Sequence, residues 1–159
     1  MRLRTARLVL RQPRSADAPA IFERYASNAE VTRFLSWPRH TSLDATHAFI
    51  EVSNAQWARW PAGPYLIETP DGTLLGGAGL AFETAERAST GYVLARDAWG
   101  QGYATEALGG IVTIARTLGI ARLEAMCHAE HRASSRVLEK NGFVCEGLLP
   151  RHTVFPNLD

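Results

Sequence analysis

The strand-like run "STGYVLA", residues 89–95, is followed by two glycines, Gly100 and Gly102, and then by a helical pattern that reaches Leu118. No other stretch constrains the fold as much. A strand that feeds a helix through bare glycines sets free backbone N–H groups, and the positive end of the helix dipole, at the carboxyl end of the strand. Open α/β sheets bind ligands at that end. Gly100 and Gly102 lack a Cβ, so phosphate oxygens can approach the main chain closely, and either residue can take φ > 0. The expected ligand is an anion of the pyrophosphate type; the alternative is an ordinary glycine turn. A P-loop needs GxxxxGK[ST], and Lys140 is the only lysine; a dinucleotide fingerprint needs Gly or Ala where Thr105 stands.

The bulk properties narrow the ligand's owner. The 159 residues suit one domain, 1–159, with a core of its own. A net charge of +1 argues against a nucleic-acid footprint. No segment approaches the roughly 18–20 continuous apolar residues of a membrane span, and "LVL" near the N-terminus is too short for a signal-peptide core. A cytoplasmic protein is expected, in which Cys127 and Cys145 are buried thiols. His40 and His47 lack ligand spacing, so no metal is expected.

Along the chain, "TARLVLRQP" predicts an opening strand and "SADAPAIFERYASN" a first helix with a Ser/Asp capping signal. A shorter helical turn follows, then a helix from about Leu43 to Trp60 begun by Thr41 or Ser42. Two strands joined by Thr69-Pro70-Asp71-Gly72 form a hairpin. After the strand over 88–94 comes a helix from about Gly102 to Leu118, with Ala104, Leu108, Ile111, Val112, Ala115 and Leu118 at helical spacing and Gly119 as its stop. "RLEAMCH" (122–128) predicts a strand, "RASSRVLEKNG" a helix, and "FVCEGLLPRHTVF" a sixth strand. The fold class expected is α+β, layered α/β/α, around a mixed, mostly antiparallel sheet in which strands 88–94 and 122–128 run parallel.

The blocks "STGYVLARDAWGQGYATEAL" and "HRASSRVLEKNGF" resemble the GNAT superfamily of N-acetyltransferases, and within it the branch that includes the ribosomal-protein N-terminal acetyltransferases. The likeness covers essentially the whole chain. It implies that strands 88–94 and 122–128 splay apart and that acetyl-CoA is the co-substrate. The cofactor pyrophosphate would lie on Trp99, Gly100, Gln101, Gly102, Tyr103 and Ala104, beside Thr105; Trp99 stands where the family has Gln or Arg. The pantetheine arm would pair with the backbone of Val93 and Leu94. His131 replaces the family's asparagine at a pantetheine-contacting position and can still donate a hydrogen bond. Leu138 stands where many relatives carry an acidic tyrosine, which leaves Ser134 to protonate the departing thiolate. The family closes its sheet with a seventh strand. This sequence stops at Asp159, so the expectation is a sheet lacking that strand, through truncation or completion by a partner.

The implied reaction is direct acetyl transfer to a primary amine, on a small molecule or a protein N-terminus. A main-chain N–H near Val93 or Leu94 would polarise the thioester carbonyl, and His128 would act as base, with Glu83 and Glu68 as alternatives. Other readings stand beside these: His128 as a hydrogen-bonded strand-end histidine, Ser134 as a first-turn serine, Glu106 as a complement to the helix dipole, and "GGAG" (76–79) as close packing. Trp37, Trp57 and Trp60 belong to the core or to an acceptor groove. A homodimer is a further expectation from the family. The alternative function is a non-catalytic acyl-CoA-binding module, motivated by His131, the absent seventh strand and the want of an obvious base.

Overall fold

The opening run folds into two strands where one was expected. The Thr5 hydroxyl accepts from Leu8 N at 3.2 Å, and Thr5 N donates to Leu8 O at 2.9 Å. This side-chain-closed turn separates β1 (Leu3–Arg4) from β2 (Val9–Arg11) and puts Arg7 at the tip. In the computed structural model, which describes residues 2–158, the sheet continues through β3 (Pro64–Glu68), β4 (Leu74–Thr84), β5 (Arg87–Leu94) and β6 (Arg122–Ala125), in spatial order β1-β2-β3-β4-β5-β6. Neighbours pair antiparallel except β5 and β6, which are parallel as the intervening helix requires.

The first helical segment begins with a 3-10 turn, passes through α1 (Ala18–Ile21), and ends in a π turn over Phe22–Ala26, where Ser27 donates both its N–H and its hydroxyl to Phe22 O. The short α2 (Ala29–Thr32) is capped by Asn28, and α3 (Leu43–Arg59) by Ser42. The remaining helices are α4 (Tyr103–Thr117) and α5 (Arg132–Lys140). Gly119 and Gly142, both at positive φ, follow them as C-terminal stops.

Apolar spacing decides which helix covers which face. Leu108, Ile111 and Ile114 of α4 lie in one core cluster with Leu10, Ile67 and Leu80 of the sheet and with Leu8 just before β2. Ile21, Tyr25, Val31 and Ile50 of the earlier helices lie in the other, with Leu66 and Leu74. Each fully buried Leu or Ile is worth about 1.5–3 kcal/mol, and the two layers together produce the α/β/α sandwich. Gly79 lets β3 and β4 close up, since a Cβ there would stand 2.6 Å from Pro64 Cα. Trp57 belongs to this scaffold: its ring meets Tyr65 edge-on and its Nε1 donates to Pro64 O at 2.7 Å. Trp60 stacks on Phe82.

The expected sixth strand at "FVCEGLLPRHTVF" is not formed. The segment passes β6 through an Arg122–Glu146 ion pair, without a ladder. Pro150 has no N–H to give, and Arg151 sits at φ 56, both hostile to a continuous strand. Val144, Leu148, Leu149 and Val154 consequently stay exposed, Val144 at 83%. Cys145, expected to be buried, is exposed on the same segment, while Cys127 is half-buried. None of the helices is long and apolar enough to cross a membrane, among the described residues.

Candidate active site

β5 and β6 stay in register from Arg87↔Arg122 to Thr90↔Ala125 and then part, so the parallel pair is shorter than the expected 88–94 with 122–128. Beyond Thr90, β5 runs on to Leu94 against β4 alone. A wedge therefore opens at the carboxyl end of the parallel pair. Ala95 N donates to Leu75 O at 2.7 Å, and a Cβ at Gly76 would meet Val93 O. Both contacts lie on the β4 side, and alternation along the strand turns the amides of Leu94 and Tyr92 toward the wedge. The Leu94 carbonyl is held by Trp99 Nε1 at 2.9 Å.

The chain leaves the wedge through a 3-10 turn, Arg96–Ala98, into the glycine loop. Gly100 has φ 74 and Gly102, the N-cap of α4, has φ 79, both in the left-handed region that disfavours other residues. The first amide held inside α4 is that of Glu106, which donates to Gly102 O at 3.1 Å. The amides of Tyr103, Ala104 and Thr105 are left outside the helical ladder, and Gly102 offers no side chain to cap them. A Cβ at Gly100 would meet nothing within 4 Å, so the loop is open to an approaching group on that side. Gln101 folds back, its Nε2 donating to Asp97 O at 2.9 Å, and Thr105 O accepts from Asn141 Nδ2 at 3.2 Å, which ties α5 to α4.

Glu106 does more than complement the helix dipole. Its Oε2 accepts from Thr5 Oγ1 at 2.5 Å and from Arg7 N at 2.7 Å, and its Oε1 accepts from Arg7 Nε at 2.7 Å. Burial alone would raise this carboxyl, but the bonds from Thr5 and Arg7 outweigh it and hold it below the usual carboxylate range. Arg7 NH1 also donates to Gln101 O at 2.9 Å, and the guanidinium lies 4.5 Å from the Tyr103 ring centre. The N-terminal hairpin is thus clasped onto the glycine loop.

On the other side of the wedge, Ser134, in the first turn of α5 and only 8% exposed, faces the Tyr92 phenol. Burial pushes that phenol up, the nearby Ser134 hydroxyl draws it part of the way back, and Cys127 adds to the rise. Leu138 packs into the main core. His128 is placed between aromatic rings, 5.0 Å from Phe34 and 4.8 Å from Phe155. Its Nδ1 accepts from Glu130 N at 3.1 Å, so the neutral ring carries its proton on Nε2. His131 stacks on Phe34 at 4.8 Å, and burial, then the proximity of His128, lowers its pKa. Glu83 sits by the β4–β5 turn, paired with Arg87 at 3.0 Å, at the opposite end of β5 from the wedge. Glu68 is engaged by Arg11 at 3.1 Å.

The family model described as an acetyltransferase (GNAT) domain matches residues 7–144 of this chain. The chain belongs to the GNAT acetyltransferase family. It is 32% identical over 154 residues to an uncharacterized N-acetyltransferase, YoaA, of Bacillus subtilis (strain 168), a match that covers 94% of this chain and 86% of that protein. In fold it is similar to RimL, a ribosomal alpha-N-protein acetyltransferase solved in complex with coenzyme A, at TM-score 0.87 and 23% identity over 97% of this chain and 90% of that one. A second fold likeness is to the microcin self immunity acetyltransferase MccE, solved with acetyl-CoA and AMP, at TM-score 0.85 and 18% identity over 97% and 88%.

As a GNAT acetyltransferase, the chain is an enzyme, and the wedge and glycine loop form its candidate active site. Sequence reasoning had singled out the loop and Ser134. It missed Tyr92, Phe34 and the Thr5–Arg7–Glu106 clasp, whose members are far apart in the chain. The one signal available was "YVL": a tyrosine one residue ahead of the expected pantetheine contacts, on the face that alternation shares with Leu94.

Proposed function

We propose that the protein is an acetyl-CoA-dependent N-acetyltransferase that acts on a primary amine, with a protein N-terminus as the favoured acceptor and the ribosomal-protein N-terminal acetyltransferases as its branch. The observation that carries the cofactor reading is the loop: two left-handed glycines and three amides outside the helical ladder, at the mouth of a splayed parallel strand pair. That arrangement fits a diphosphate, which needs close main-chain approach and several N–H donors. The acceptor reading draws on likeness in fold to RimL.

Bound acetyl-CoA supplies an acetyl group activated as a thioester. The loop amides of Gly102 to Thr105 would hold the diphosphate, with Trp99 and Gln101 folded back to keep the loop in shape. The Leu94 N–H, turned to the wedge, donates to the carbonyl oxygen; such a donor is worth roughly 3 kcal/mol of barrier. Ser134 Oγ gives a proton at the thiol end of the site and is resupplied by the Tyr92 phenol, which burial keeps protonated. His131 lines the site through its stack on Phe34. His128, with Nδ1 occupied and Nε2 protonated, serves better as a donor orienting the acceptor than as the base. The amine would enter unprotonated and its nitrogen would bond to the acetyl carbon as the C–S bond breaks; the proton the nitrogen then sheds would pass to water, and water would return one to the Tyr92 oxygen, leaving the amide and the free thiol.

Titration calorimetry with acetyl-CoA tests the reading. The wild-type chain binds, and Gly100→Asp weakens binding about a hundredfold or more by setting a carboxylate against the diphosphate. Gly100 is the better position than Gly102, because a side chain at 102 would start 3.3 Å from the Arg7 guanidinium and pair with it. A folded wild-type chain that gives no heat with acetyl-CoA sinks the proposal.

A further inference from the structure

We infer that Arg7 binds a phosphate of the cofactor's diphosphate, and that Glu106 positions it to do so; this rests on the reading of the glycine loop as the acetyl-CoA site. Arg7 comes from the turn of the N-terminal hairpin, far in sequence from the loop. Two of its three guanidinium nitrogens are spent on holding it there: Nε on Glu106 Oε1 at 2.7 Å and NH1 on Gln101 O at 2.9 Å. The third, NH2, takes no hydrogen bond among the described residues and lies 3.3 Å from where a Cβ on Gly102 would be. Gly102 opens the row of amides that the diphosphate would meet.

The local charge balance calls for such a cation. Glu106, in the first turn of α4, is only 17% exposed and held ionised by its partners. An uncompensated carboxylate at that position would repel a diphosphate and offset the helix dipole. Arg7 neutralises it, and NH2 remains as an unspent donor of the guanidinium facing the loop. The guanidinium is fixed before the ligand arrives, by the Glu106 bonds to its own backbone N–H and side chain and by the face of Tyr103 4.5 Å away. Little ordering entropy is then lost on binding. The side chain is still 47% exposed, so a ligand on the loop would cover it.

The test is calorimetric titration of the full chain with coenzyme A and with 3′-dephospho-coenzyme A at several ionic strengths, and an NMR titration with pantetheine, for wild type, Arg7→Met and Arg7→Lys. Arg7→Met should weaken both nucleotides by the same factor, about tenfold to a hundredfold, the range for one charge-assisted hydrogen bond. It should leave the pantetheine shifts unchanged and flatten the salt dependence of affinity. Arg7→Lys, which keeps the charge but not the fork, should recover part of the affinity and the salt slope. Unchanged affinity in Arg7→Met would overturn the inference. So would a loss confined to coenzyme A, which assigns Arg7 to the 3′-phosphate. So, too, would a loss that Arg7→Lys fails to relieve and that leaves the salt slope intact, which makes Arg7 a structural clasp alone. A folded wild-type chain that binds neither nucleotide overturns the loop reading itself.

Discussion

Ser134 has a choice of partners that its helix position leaves open. A serine in a first turn commonly satisfies the free amides of its own helix, yet α5 has no side-chain cap and the hydroxyl faces Tyr92 on β5. That orientation favours a proton relay over a cap. Replacing Ser134 with Ala should lower kcat about a hundredfold, the lower end for general acid catalysis, with the KM for acetyl-CoA little changed. Tyr92→Phe should cost less, and the double variant should be no slower than Ser134→Ala alone, because the phenol acts through the serine. Steady-state kinetics on the four proteins decide this; additive losses would separate the two residues and remove the relay. The backbone form of Gly100 and Gly102 was legible in the sequence because it is local, a φ sign and a missing Cβ, whereas Ser134 entered only through the resemblance to the GNAT superfamily. Tyr92 was not legible, because its meaning depends on a helix that begins 40 residues later. His128 shows the converse limit. Its place at the end of the fifth predicted strand was readable, but the occupation of Nδ1 by a backbone amide two residues on was not.

At the scale of elements, the N-terminal hairpin and the glycine loop behave as one unit through Glu106. The folded-state pKa of Glu106 is depressed, so its contribution to stability is fully present above the unfolded value, about 4.3, and is lost as pH falls through the folded value. Glu106→Gln should therefore reduce stability by about 1–2 kcal/mol at pH 7, and the difference from wild type should shrink as pH drops below about 4. Denaturant unfolding at a series of pH values measures both; a difference that persists undiminished in acid would mean that packing, and not charge, carries the effect. The same elements show where pattern reading stops. The run at 143–155 reads as a strand by composition, but a strand also needs a partner ladder, and β6 spans only Arg122–Ala125. In the opening run the apolar pattern was right and its division was not, because the break depends on one hydroxyl, that of Thr5, closing a turn. The helices and the β3–β4 hairpin were recovered because their caps and turn residues act within a few positions: Ser42 before α3, Gly119 after α4, and the 69–72 turn closed by Gly72 N on Thr69 O at 2.9 Å.

Across the whole molecule, one residue near the C-terminus ties together segments that secondary structure leaves separate. Asn157 Nδ2 donates to Thr32 O at 2.8 Å and to Trp37 O at 2.9 Å, while its Oδ1 accepts from Arg39 N at 2.8 Å. Two residues earlier, Phe155 meets His128 edge-on, and His128 in turn contacts Phe34. The link between α2 and α3 is therefore held against the end of β6 by an amide and a ring from the C-terminal segment. This tether bears on His128, to which the proposed function gives the acceptor, while leaving the cofactor loop alone. Asn157→Ala removes three hydrogen bonds, each worth about 1 kcal/mol net, from a link without regular structure of its own. The expected outcome is faster hydrogen exchange at the Arg39 amide, by about tenfold or more, with a cooperative melt close to that of wild type, since both core clusters are built elsewhere. In kinetics, the KM for the amine should rise while the KM for acetyl-CoA stays within about twofold, because the glycine loop and its Arg7–Glu106 clasp do not touch Asn157. Exchange at Arg39 as slow as in wild type would show that the link holds itself in place; parallel rises in both KM values would show that the tether supports the whole wedge.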